Sequence, residues 1–98
     1  MEIKVNVNKI VNDNSRIMAI VTLTLSSAFV VRNVKIIKGG KNGRFLAMPN
    51  FRDNFGNFND VCYPRSKELR EAIESEVFAA YDAIITKIEQ RGEPEIEE

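Results

Sequence analysis

The hydrophobic period of this chain changes once, between Tyr63 and Ser66. Before that point apolar and polar residues alternate, the two-residue repeat of strands whose side chains point to opposite faces. After it Leu69, Ile73, Val77, Ala80, Ile84 and Ile88 recur three and four residues apart, one stripe of an amphipathic helix. Strands gathered first and a helix last imply an α+β fold built on an antiparallel sheet.

About five strands are expected. In the first, Ile3, Val5 and Val7 share one face and Lys4, Asn6 and Asn8 the other. The turn residues of Asn12–Ser15 separate it from a second strand, in which Ala19, Val21, Leu23 and Leu25 face one way and Met18, Ile20, Thr22 and Thr24 the other. In the third, strict alternation sets Val30, Val34 and Ile36 against Phe29, Val31 and Ile37. The second and third strands are apolar on both faces. One helix covers one face of a sheet, so the other is expected to meet a partner subunit or another element. Gly39–Gly43, GGKNG, is the strongest turn signal, with Asn42-Gly43 a favoured hairpin pair. No GxxxxGK(S/T) pattern of a phosphate loop is present, and no helix starts there. A fourth strand, Arg44–Met48, ends at Pro49, which has no amide to donate. Asn50–Asn57 is then expected as a loop turning at Gly56, and Phe58–Tyr63 as a fifth strand stopped by Pro64. Phe58 should pack inward, and Phe51 and Phe55 should close the loop or stack on bases. Met18, Met48 and Tyr81 read as packing residues.

Ser66 is the expected N-cap of the helix, with Glu68 and Glu71 favourable to its dipole, and Gly92 and Pro94 are expected to stop it. A single domain over 1–91 and a short acidic tail over 92–98 follow. A domain this small buries a modest share of its surface, and association with a second copy would help it.

Composition narrows the chemistry. The chain has no histidine and one cysteine, Cys62, so an internal disulfide is excluded, a thiol nucleophile lacks its usual base, and zinc loses its commonest ligands. Cys62 reads as a small apolar core residue, which fits a reducing compartment; the cytoplasm is the expected location. Met1–Ile10 has no continuous apolar run of the signal-peptide kind, and no stretch is long enough to span a membrane. Asp53 and Asp60 flank the last hairpin without the features of a catalytic carboxylate pair. No enzyme, cofactor or metal is expected. The net charge of zero hides a split: residues 1–70 carry twelve Lys and Arg against five Asp and Glu, a net of +7, and residues 71–98 carry −7. Such a split fits two readings, a basic sheet face beside an acidic helix face, both simply solvated, or a nucleic-acid partner for the basic part.

The stretch FVVRNVKIIKGGKNGRFLAMP, Phe29–Pro49, with Arg16 and Ala19 before it and Gly56-x-Phe58, Asp60 and Pro64 after it, resembles the SpoVG family of bacterial regulators. The likeness runs from about Lys9 to about Tyr81. It implies a homodimer with a β-sheet and C-terminal helical structure, binding to DNA with RNA as a second ligand, and a link to septation, sporulation and control of gene expression. After A-M-P the family usually has a polar residue and two basic ones; here stand Asn50, Phe51 and Arg52. Tyr63-Pro64 replaces a frequent His-Pro.

The resemblance and the charge split together nominate Arg52, Arg65, Lys67 and Arg70 as phosphate contacts, with Lys41 and Arg44 as outer members and Ser66 as a contact at the helix N-terminus. The other reading is a protein-interaction module that docks a division or regulatory protein through the sheet edge or the acidic helix and tail.

Overall fold

The computed structural model describes residues 1–90. Strands β1 (Ile3–Ile10), β2 (Ile17–Leu25), β3 (Phe29–Lys38) and β4 (Arg44–Ala47) form one antiparallel sheet in the order β1-β2-β3-β4. Strands β5 (Asn50–Arg52) and β6 (Phe58–Asp60) pair with each other as a separate two-stranded ribbon. Helix α1 (Lys67–Gln90) lies on the inner face of the larger sheet. The expected helix stop at Gly92 and Pro94 and the acidic tail lie outside the described residues.

The core forms where inward strand positions meet the helix stripe. Ala19, Val21 and Leu23 of β2, Val31, Val34 and Ile36 of β3, Leu46 and Met48 are buried with Ile73 and Val77 of α1. Ile3, Val5 and Val7 pack against this cluster from β1, and Met18, Cys62, Leu69, Phe78 and Tyr81 fill its margins. Ile88 is exposed, although it lies on the helix stripe.

Strict alternation fails in β3. Val31, not Val30, joins Val34 and Ile36 in the core. The ladder explains it: Val21 pairs with Val34 but Leu23 pairs with Val31, so Arg32 and Asn33 together stand opposite Thr22. This is a β-bulge, with Asn33 at a φ of +63°, a conformation that asparagine tolerates better than most residues. The extra residue shifts the phase by one and moves Val30 to the outer face.

That outer face is ordered in cross-strand rows. Lys4, Thr24 and Val30 form the first; Asn6, Thr22 and the Arg32–Asn33 bulge the second; Lys9, Ile20, Lys35 and Ala47 the third; Ile17, Ile37 and Phe45 the fourth. A second bulge frees Asn8 to accept the Thr22 hydroxyl at 2.6 Å. The face is therefore polar and cationic over three rows and apolar mainly at its β4 end.

The expected fifth strand also differs. It pairs with Asn50–Arg52, expected as loop, and is only three residues long. Pro49 divides β4 from β5. Its carbonyl still accepts the Val61 amide at 2.7 Å, which ties the base of the ribbon. At the other turn the Arg16 guanidinium donates to the Lys38 carbonyl through Nε at 3.2 Å and Nη2 at 2.9 Å. Gly39 allows this approach: a Cβ there would lie 2.5 Å from Arg16 Nη2, and its φ of +131° disfavours any side chain.

Candidate nucleic-acid interface

The β5–β6 turn is organised by one carboxylate. Asp53 accepts hydrogen bonds from the Phe55 amide at 2.8 Å, the Asn57 amide at 2.9 Å and the Asn59 side-chain amide at 2.9 Å. These donors, led by the Asn57 amide, hold its pKa below the ordinary carboxylate range. The turn thus has a defined shape although nothing covers it.

The ribbon's aromatic side chains are exposed. Phe58 is 71% exposed, against the expectation that it packs inward, and Phe51 and Phe55 are also open. The physical reason is the missing third layer: the ribbon packs extensively only on itself, so neither face has anything to be buried against. Arg52 stands opposite Phe58 in the ladder, and its guanidinium lies over that ring, 5.5 Å from the centroid. Arg52 has no carboxylate partner among the described residues.

Pro64 leads from the ribbon to the start of α1. Ser66 caps the helix as expected: its hydroxyl accepts the Leu69 amide at 3.1 Å and its carbonyl accepts the Arg70 amide at 3.0 Å. Arg65 is exposed and Arg70 half-buried, neither with an ion-pair partner among the described residues. Lys67 lies 4.0 Å from Glu71 one turn on, a solvated pair that leaves its charge accessible. Ribbon and helix start therefore carry Arg52, Arg65, Lys67 and Arg70 on consecutive elements.

Lys41 and Arg44 belong to a different environment. Arg44 donates two hydrogen bonds to Asp82, at 2.7 and 2.9 Å, and lies over the Phe78 ring at 4.3 Å. The bidentate contact holds Asp82 below the usual carboxylate range and raises the Arg44 pKa further. Lys41 and Arg44 line a cleft whose helix wall carries Glu71 and Glu74. Asp82 of the acidic helix thus occupies Arg44, while Lys41 shares a cleft with Glu71 and Glu74.

Two surfaces lie outside the nominated residues. One is the cationic outer face of the sheet, expected only as a solvated basic face; the Lys4, Asn6, Asn8 alternation signalled it and the bulge hid Arg32. The other is an apolar groove between Leu25, Phe29, Val31, Met48, Tyr63 and Leu69, beside the β2–β3 turn. Phe29, Tyr63 and the neighbouring Val61 are each more than 60% exposed there. Among the described residues no group of histidine, cysteine, aspartate and glutamate is arranged to hold a metal, and no helix is long and apolar enough to cross a membrane.

The family profile described as SpoVG matches residues 1–83. A relative from Caldicellulosiruptor saccharolyticus is 39% identical over 82 residues, covering 84% of this chain and 91% of its own length. One from Macrococcus caseolyticus is 40% identical over 78 residues, 80% of this chain and 66% of its own. One from Clostridium acetobutylicum is 35% identical over 91 residues, 93% and 94% of the two chains. All three carry septation-protein SpoVG names.

Proposed function

This chain belongs to the SpoVG family, and we propose that it is a cytoplasmic, non-enzymatic regulator that binds DNA, and RNA as a second ligand, as a homodimer. The observation that carries the reading is the run of Arg52, Arg65 and Arg70 along the ribbon and helix start, cations without carboxylate partners among the described residues. They supply phosphate contacts, and the unpaired amides of the first helical turn add to them. Arg52 keeps one of the two basic positions that the family places after A-M-P. Septation is the process to which the relatives' names lead, and control of gene expression is what the family resemblance implies.

A homodimer would double this surface and raise avidity without new contacts. The apolar groove by Phe29 and Tyr63 supplies an area that association would remove from water. Light scattering at micromolar concentration should give a dimer mass; a monomer mass would remove this part of the reading.

The test of binding is a salt series with duplex DNA and with RNA. The observed constant should fall linearly on a log–log plot. The Arg52→Ala, Arg65→Ala double variant should flatten the duplex slope by about 2 for each protomer on the duplex, close to 0.9 per phosphate contact. No salt-dependent binding to either polymer would reject the reading.

The same exposed groove favours a second reading, a docking module for a division protein with no nucleic-acid role. Affinity purification with and without nuclease separates the two: partner capture that survives nuclease, together with absent nucleic-acid binding, selects the docking module.

A further inference from the structure

The cations of residues 1–70 do not all lie near Arg52. Arg44 is taken by Asp82, Lys41 faces Glu71 and Glu74 across a cleft, and Arg16 is spent on the Lys38 carbonyl. Four others, Lys4, Lys9, Arg32 and Lys35, stand on the outer rows of the four-stranded sheet, the face that α1 leaves uncovered. Those rows hold no carboxylate, and none of the four has an ion-pair partner among the described residues. The nearest acids sit at the borders. Glu2 accepts the Ser27 hydroxyl at 3.1 Å, and Asp13 accepts the Ser15 amide at 2.8 Å.

We infer that this outer face is a second nucleic-acid contact surface, which takes the phosphate backbone of a duplex. The inference rests on the nucleic-acid reading above and extends it to residues outside the ribbon and helix start. Lys9 and Lys35 flank β2 from β1 and β3, roughly 10 Å apart at the backbone, two strand spacings. The β-bulge at Asn33 adds Arg32 one row away, beside Asn6, whose side-chain amide can donate to phosphate oxygens. The charge is complementary to a polyanion, and it is spread over a sheet rather than gathered at a point. The three cationic rows contain no aromatic residue; Phe45 stands in the fourth. Unpaired bases would find no stacking platform among these cations, which is the feature single-strand binders use. A duplex backbone needs none.

The experiment compares the parent chain with a variant carrying Lys4→Gln, Lys9→Gln, Arg32→Gln and Lys35→Gln, which removes four charges and keeps the side chains polar. Both are titrated with a short DNA duplex and with its single strand across a salt series. The duplex slope should fall by about 0.9 for each phosphate that is no longer neutralised, a total of about 3 to 4 for each protomer on the duplex. A slope equal to that of the parent would overturn the inference while leaving the function reading intact. Weakening confined to the single strand would overturn it as well. A parent chain that binds neither polymer would reject the function reading itself, and this one with it. Amine acetylation of the parent chain gives a readout that needs no variant: Lys4, Lys9 and Lys35 should be protected by duplex, and full reactivity in its presence would contradict the proposal.

Discussion

Two arginines among the described residues lie over phenylalanine rings, and their surroundings differ. Arg44 sits over Phe78 at 4.3 Å and donates twice to Asp82, in a place where sheet and helix form two layers. Arg52 lies over Phe58 at 5.5 Å on a ribbon with no layer behind it, and no carboxylate meets it among the described residues. The same pairing of residue types therefore serves packing in one region and leaves a charge available in the other. What separates them is the layer, not the local sequence. An alternating segment is buried only where another element covers it.

The largest test of this difference is a pair of truncations. Ile36→Ala removes a wholly buried side chain from between sheet and helix and should cost about 2–5 kcal/mol in denaturant unfolding. Phe58→Ala, on the uncovered ribbon, should cost no more than about 1 kcal/mol, the scale of an exposed cation–π contact. Equal costs would mean that the ribbon is covered in solution, and would break the comparison. Next in size is Ser66→Ala, which removes the cap that links ribbon to helix. It should destabilise by about 1 kcal/mol and lower thermal stability without altering the far-ultraviolet spectrum of the folded chain.

The smallest effect belongs to the Arg44–Asp82 pair. The Asp82 side chain is 55% exposed, so solvent screens the interaction and Arg44→Ala should cost only about 1 kcal/mol or less. Its pH dependence is diagnostic. Arg44 holds the Asp82 carboxyl below its unfolded value, so the contribution is complete above about pH 4. It is lost as the pH falls through the folded pKa. The stabilities of the parent chain and Arg44→Ala should therefore converge in acid. A gap that stays constant down to about pH 2 would show that packing on Phe78, rather than the ion pair, accounts for the difference.

Features set by neighbours in sequence were legible in advance. The Ser66 cap, the glycine turn at Gly39–Gly43 and the change of period before the helix each depend on a few adjacent residues, and the structure has all three. The inward faces of β1 and β2 were legible for the same reason. What alternation could not reveal was the bulge at Asn33, because one extra residue in a ladder changes every later position without changing composition. Nor could it reveal that β6 pairs with Asn50–Arg52 rather than with the larger sheet, since both pairings keep the period of two. The candidate site divides along the same line. Arg52, Arg65, Ser66, Lys67 and Arg70 follow one another along the chain, on the ribbon and the helix start. Arg44, nominated with them, meets a carboxylate 38 residues away, a contact that no local pattern encodes.

The central claim is that cations without carboxylate partners bind nucleic acid and engaged ones do not. The most direct measurement is duplex binding by Arg52→Ala and Arg44→Ala side by side, across one salt series. The account predicts weaker binding for Arg52→Ala, with a slope lower by about 1 for each protomer on the duplex, and binding unchanged from the parent for Arg44→Ala. Weakened binding in Arg44→Ala with parent-like binding in Arg52→Ala would contradict it.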